Sequence, residues 1–333
     1  MARRGFGGSM LAKKLGLLLV VGLLLSVALA APSVRGGRDV ALDVKVTALD
    51  AVFCRETFGG LGTGDAIPSP GPCAAKVDPD CVDATDPTQR VEVVYARPSS
   101  APDRSATMAP QIRDMVRRAN GVVHAEAAAL GSTINLRVAC DAGVIRVASV
   151  IVPDVSSVGA SAALSQVSTA LAAAGYGSSY AKYWVWLDET RSDNVAGVST
   201  LARDDRLAAD NANNRTTGYA LVFGTTSYVI MLHELSHAMG AVQSSAPHAT
   251  MGGHCFDGQD VMCYDEQLMS GQLGQRRLDP PLLGNAVFDP VACVAEAYDC
   301  GHDDYFNPAP SPGSYLASHW NLASPLNGFV DVS

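Results

Sequence analysis

The spacing of apolar and polar positions changes several times along the chain, and each change marks an element. Val40, Leu42, Val44 and Val46 alternate with Ala and charged residues, so a strand is predicted over 40–52. Residues 56–90 lose that alternation and become rich in Gly, Pro and Asp, as expected of a stapled N-terminal extension or a removable pro-segment. Order returns with a strand at Val91–Ala96, a polar loop from Pro98 to Ala106, and a helix over 111–130 spaced through Ile112, Met115, Val116, Val122 and Val123. Strands follow at 134–140 and 144–152, separated by Asp141-Ala142-Gly143. Next come an alanine-rich helix at 160–174 and a strand at 182–187. A loop dense in Asp, Asn and Arg is predicted over 188–217, then a strand at 219–223 and a helix from Tyr228. Strands alternating with helices predict an α/β (α+β) fold, a mixed twisted sheet backed by helices with the last helix beneath it.

Composition bears on compartment and partners more than on fold. The chain has 333 residues, 48% hydrophobic and 17% charged, enough for one large domain or two modest ones. Its formal net charge is −9, and residues 1–30 hold four basic residues and no acid, so the remainder is more acidic still. That balance argues against nucleic acid or an anionic membrane surface as partner. Basic residues precede an apolar run from Leu15 to Ala31, and Ala28-Leu29-Ala30 supplies a small-x-small cleavage pattern. Residues 1–30 are therefore read as a signal peptide cleaved near Ala30, with Arg3-Arg4 hinting at twin-arginine export. The run is short for a membrane span, so no stable anchor is expected.

All eight cysteines lie beyond Ala30, which in an exported chain points to disulfides. Short separation favours Cys73–Cys81, Cys255–Cys263 and Cys293–Cys300, leaving Cys54 with Cys140. A thiolate metal cluster would need C-x-x-C spacing, which is absent.

The stretch that carries chemistry is Tyr228-Val-Ile-Met-Leu-His233-Glu234-Leu-Ser-His237-Ala-Met-Gly240. Thr226 or Ser227 can cap the helix, and its apolar flanks predict burial. At 3.6 residues per turn His233 and His237 stand about 40° apart, with Glu234 about 60° further round. Both imidazoles can thus reach one zinc ion, while Glu234 stays near enough to act on a water without ligating. Two histidines on a surface helix would have no such use, but burial without a bound ion would strand polar groups. His124, alone in its helix, is read as packing.

A catalytic zinc needs a third protein ligand, for which His248, His254, Asp257 and Asp260 are candidates. The run Gly253-His254-Cys255-Phe256-Asp257-Gly258-Gln259-Asp260-Val261-Met262-Cys263-Tyr264 resembles the third-ligand and Met-turn region of the metzincin clan of zinc peptidases. In that clan H-E-x-x-H-x-x-G leads to a third histidine and then to a tight turn with a methionine below the metal. Here the third histidine would fall at 243, which is Gln243. If residues 241–252 form an inserted loop, His254 takes the role, eight residues before Met262 as in matrixins; His248 is the alternative third ligand. Tyr264, two residues after Met262, matches a tyrosine that steadies the tetrahedral intermediate in astacin-like and serralysin-like branches, or is simply a buried structural side chain. Glu296 as a gluzincin-type ligand ranks below both histidines, because no Asn-Glu motif accompanies it.

The segments 293–306 and 313–321 are similar to a group of secreted bacterial metzincin-like proteins of unassigned substrate. The resemblance thus covers residues 91–333, divided into an upper subdomain 91–240 and an irregular, disulfide-stapled C-terminal subdomain 241–333, and leaves 31–90 unmatched. It implies a secreted, monomeric zinc endopeptidase in which a metal-activated water attacks a peptide bond with Glu234 as general base. Peptide or protein substrate would bind extended along an edge strand above the zinc helix. His302, Asp303 and Asp304 offer donors for a calcium ion or form a hydrogen-bonded structural cluster. The alternative from another class is a catalytically silent extracellular binding protein that keeps zinc for stability.

Overall fold

A computed structural model describes residues 74–191, 193, 195–224, 227–250, 252–255, 260–263 and 298–333, together with the strand pairing of residues 39–40 and 44–45. The expectations for residues 1–30, Cys54, Cys73, Cys293, Asp257, Tyr264 and Glu296 lie outside the described residues.

The frame is a mixed sheet. Its strands are β1 (Asp39–Val40), β2 (Val44–Lys45), β3 (Asp80–Asp83), β4 (Arg90–Pro98), β5 (Ile134–Asp141), β6 (Val144–Ile145), β7 (Val147–Val152), β8 (Ala181–Leu187), β9 (Val195–Leu201), β10 (Gly218–Phe223) and β11 (Val330–Val332). Its path runs β1-β9-β10-β8-β4-β5-β11, with β2 also on β9, β3 and β6 on β5, and β7 on β4. The middle is parallel, β8 lying between β10 and β4, whereas β9 runs antiparallel to β10. Helices α1 (Ser105–Ala129) and α4 (Tyr228–Met239) pack on one face and α2 (Ala160–Ala173) on the other; α3 (Ala212–Arg215) is a single turn. Because both faces are covered, all 7 residues of β8 are buried. Trp184 and Trp186 join the layer with α1 and α4, while Tyr183, Val185 and Leu187 meet Leu164, Val167 and Leu171 of α2. Each such large apolar side chain contributes roughly 1.5–3 kcal/mol on burial.

Several boundaries differ from the sequence expectation. Helix α1 starts at Ser105 and runs through Pro110, so one internal N–H bond is given up. Met108, Ile112 and Met115, buried on the sheet, offset that loss. The strand predicted over 144–152 divides at Arg146: β6 turns back antiparallel on β5, and β7 continues in parallel beside β4. Arg146 reaches the buried Glu92 there. Two strands, β3 and β9, fall where loops were expected.

Strand β3 also corrects the disulfide pairing. It lies parallel to β5 with Asp83 opposite Cys140, and Cys81 bonds Cys140 with Cα atoms 5.4 Å apart. Cys73–Cys81 and Cys54–Cys140 are therefore excluded; sheet register, not sequence distance, sets which thiols meet. Cys255–Cys263 forms as expected, and Cys300 is disulfide-bonded. Residues 298–333 follow a mostly irregular course whose buried Tyr298, Tyr305, Phe306 and Trp320 pack in the same core layer as α4. Among the described residues, no helix is long and apolar enough to cross a membrane.

Candidate metal centre

Helix α4 is buried on every side, which its sequence permits because all but His233, Glu234 and His237 are apolar or small. Ser227 caps it, its hydroxyl accepting from the Ile230 amide, and Gly240 ends it at φ 99°. Glycine is required at 240 twice over: the left-handed conformation disfavours a side chain, and a Cβ there would meet the Asn213 amide at 2.4 Å. Indole N–H groups fix the helix from two sides, Trp184 donating to the Met231 carbonyl (2.6 Å) and Trp320 to that of Met239 (2.9 Å).

The helix presents His233 and His237 to a common point, where a third imidazole arrives from the chain beyond. His237 Nε2 lies 3.1 Å from His233 Nε2 and 3.0 Å from His254 Nε2, and all three residues are fully buried. His254 stands at the end of a short hairpin. Thr250 N donates to the His254 carbonyl at 2.7 Å, and the His254 amide donates to Thr250 Oγ1 at 3.2 Å. Cys255 then bridges to Cys263 and donates its amide to the Met262 carbonyl (3.2 Å), so this hairpin and the turn at 260–263 form one unit. Met262 is completely buried in that turn.

The turn in turn orients a ligand candidate. His233 Nδ1–H donates to the Val261 carbonyl at 2.7 Å, which leaves Nε2 as the lone-pair atom facing the other imidazoles. Asp260 holds the turn: its carboxylate accepts from the Met262 amide (2.7 Å), the Cys300 amide (3.0 Å) and the Tyr305 hydroxyl (2.5 Å). Burial drives the Asp260 and Asp299 carboxyls well above the ordinary carboxylate range, each further raised by neighbouring carboxylates. Burial likewise pushes His233 down to about 3, with His254 next to it adding repulsion, and lowers His237 well below its usual value. Neutral imidazoles are the metal-binding form.

Three neutral imidazole nitrogens are a donor set that zinc accepts, and ligand atoms about 2.0–2.1 Å from a tetrahedral ion stand about 3.3–3.4 Å apart. The Nε2 spacings of 3.0 and 3.1 Å fall within a few tenths of that, so the residues fit the ion. Glu234, fully buried, packs against β9 at Gly197, where a Cβ would stand 2.5 Å from its Oε1. A Cβ on Gly253 would likewise meet Leu201 of β9 at 2.8 Å, with His237 Cε1 at 3.6 Å. Residues 197–201 of β9 thus run along the centre from Glu234 towards His237. Sequence reasoning missed this strand, although Val195-Ala-Gly-Val-Ser-Thr-Leu201 is a short apolar run bounded by polar stretches.

The other candidates lie elsewhere. Gln243, at the clan's third-histidine position, ties the loop by donating to the carbonyls of Ala202 (3.0 Å) and Gly240 (2.8 Å). His248 faces Asp304, Nδ1 to Oδ2 at 3.1 Å, with Asp303 at 3.7 Å. His302 turns instead to Glu126 at 3.2 Å, so it does not join Asp303 and Asp304 in one donor group. His124 contacts Asn135 Oδ1 at 3.2 Å, a structural role.

No protein-family model matches the chain, and no curated protein does. Two crystal forms of wild type OgpA from Akkermansia muciniphila are similar to it, at 12% and 10% identity, each with a TM-score of 0.30. Each match spans 51% of this chain and 52% of that one, about half the length of either. A likeness that slight carries no argument, and the functional reading rests on the site itself.

Proposed function

We propose that the chain is a secreted zinc-dependent endopeptidase of metzincin type, with residues 1–30 as its signal peptide. The observation that carries this reading is the convergence of three buried imidazole Nε2 atoms beside a buried glutamate on the same helix. His233, His237 and His254 would hold the ion, and Met262 would lie in the turn beneath it. A zinc ion bound there would supply Lewis-acid activation of a water and of the scissile carbonyl. Glu234 takes a proton from the attacking water at its carboxylate and returns it to the leaving amine. The surrounding apolar shell excludes bulk water and strengthens every charge interaction within it. Tyr264 would donate to the developing oxyanion. Substrate is an extended peptide or protein segment.

The test is cleavage of casein by the purified mature chain, with and without chelator, beside Glu234→Gln. The wild type should bind one zinc and cleave; Glu234→Gln should keep the zinc and lose roughly 10²–10⁴-fold in rate. Equal behaviour of the two would leave a zinc-stabilised binding protein as the better description.

A further inference from the structure

Outside the three-imidazole centre, a second set of donors converges from segments far apart in the chain. His248, on the loop that leaves α4, meets Asp303 and Asp304 of the tail. Its Nδ1 stands 3.1 Å from Asp304 Oδ2 and 3.7 Å from Asp303 Oδ1, and one ligand atom from each residue lies within 4.8 Å of the other two. The His248 amide donates to Asp304 Oδ1 at 2.9 Å, which holds loop and tail together with Oδ2 beside the imidazole. The side chains of His248 and Asp304 are 9% and 0% exposed and that of Asp303 is 38% exposed, so the group is closed towards the core and open to water on one side. Charge points the same way. Asp260 and Asp299 are buried close by, and Asp304 helps to raise both of their carboxyls above the ordinary range. Asp299 Oδ1 accepts no hydrogen bond among the described residues. Buried carboxylate in excess of its donors is stabilised by a paired cation or a metal ion.

We propose that His248 Nδ1, Asp303 Oδ1 and Asp304 Oδ2 form a second cation site, separate from the histidine centre, for a divalent transition-metal ion. One imidazole beside two carboxylates disfavours calcium, which takes oxygen donors alone, and leaves positions that water completes. With metal–donor bonds of about 2.0–2.2 Å, neighbouring donors stand about 2.9–3.4 Å apart. The separations of 3.1 and 3.7 Å bracket most of that span, so small shifts seat the ion. The Asp304 carboxylate also lies within 4.8 Å of the Cys255 and Cys263 sulfurs. An ion on Asp304 would therefore clamp the tail onto the loop and the bridge that carry His254, steadying the histidine centre without touching it. With one imidazole against three and one side open to water, this site holds its ion more weakly than the histidine centre holds zinc, and it fills on added metal. The inference goes beyond the peptidase reading and does not depend on it.

The experiment titrates Mn2+ into the zinc-loaded full mature chain and counts free Mn2+ by electron paramagnetic resonance. Manganese stands lowest in the divalent affinity order, so it does not displace zinc from three imidazoles. The wild type should take up one Mn2+ per chain, which equimolar Zn2+ expels and equimolar Ca2+ leaves in place. Asp303→Asn and His248→Gln should each weaken uptake at least about tenfold, with the zinc already bound retained. Melting gives a second reading: Mn2+ should raise the melting temperature of the wild type and leave that of Asp303→Asn unmoved. No saturable uptake, or equal uptake by wild type and Asp303→Asn, overturns the proposal. So does displacement by Ca2+ as readily as by Zn2+, or loss of the bound zinc together with the manganese in Asp303→Asn. Should His248→Gln not fold, the partly exposed Asp303→Asn decides alone. Cleavage is not read, so failure of the peptidase reading leaves this outcome untouched.

Discussion

Gly197 lies directly against the carboxylate of Glu234: a methyl group on Gly197 would stand 2.5 Å from Oε1 and 2.6 Å from Cγ. The strand above the centre has therefore been left without a side chain at the one place where the glutamate must fit. Gly197→Ala should push the carboxylate aside. We expect kcat to fall at least tenfold with zinc content unchanged, and overpacking to cost about 1–3 kcal/mol in a denaturant melt. Full activity in this variant would mean that Glu234 does not act from the position described.

The Cys255–Cys263 bridge joins the residue after His254 to the residue after Met262, with Cα atoms 4.2 Å apart. Closing so short a loop stabilises by about 2.5 kcal/mol in the chain-entropy account. Cys255→Ser/Cys263→Ser should lower the melting temperature and weaken zinc binding, because the third imidazole loses its anchor. Competition with a fluorescent chelator measures the second effect.

Asp260 is the hub of the turn, accepting from Met262, Cys300 and Tyr305. Asp260→Ala strands those donors in the interior and should cost about 2–4 kcal/mol of stability, read by urea unfolding. It should also loosen the Val261 carbonyl that orients His233. Asp260→Asn, which keeps the oxygen that accepts from the Met262 amide and the Tyr305 hydroxyl, should be milder.

The pH dependence of the metal-free chain follows from the buried imidazoles. His233 falls from 6.5 to about 3 in the fold, and His237 is lowered as well, so the native state binds fewer protons than the unfolded one across that range. Their contribution is fully present above pH 6.5 and is lost as pH falls towards about 3. Asp260 and Asp299 act in the opposite sense. Their folded pKa values are raised, so acidification through those values adds stability. His237→Gln should flatten the loss below pH 6.5 relative to wild type in urea titrations, which isolates the histidine part.

Much of this was legible in the sequence where local patterning dominates. The His233–His237 pair, the Ser227 cap and the Gly240 exit follow from helix periodicity and capping chemistry, and β8 and β10 from their apolar runs. The eight-residue step from His254 to Met262 anticipated which later histidine the fold brings to the pair. What escaped depended on contacts distant in sequence. Strand β9 sits among Asp, Asn and Arg residues whose density reads as loop, and its pairing with β10 and with residues 39–40 and 44–45 makes it a strand. The partner of Cys81 is set by the parallel register of β3 on β5, 59 residues apart, which no local spacing encodes. The bond between His248 and Asp304 depends equally on a tail that returns under the core.

The most direct test is the zinc affinity of His254→Ala beside that of His248→Ala. His254→Ala should bind zinc at least about 100-fold more weakly than wild type, because one of three protein ligands is gone, whereas His248→Ala should stay within a fewfold of it. Wild-type affinity in His254→Ala, or its loss in His248→Ala alone, would contradict the centre described here.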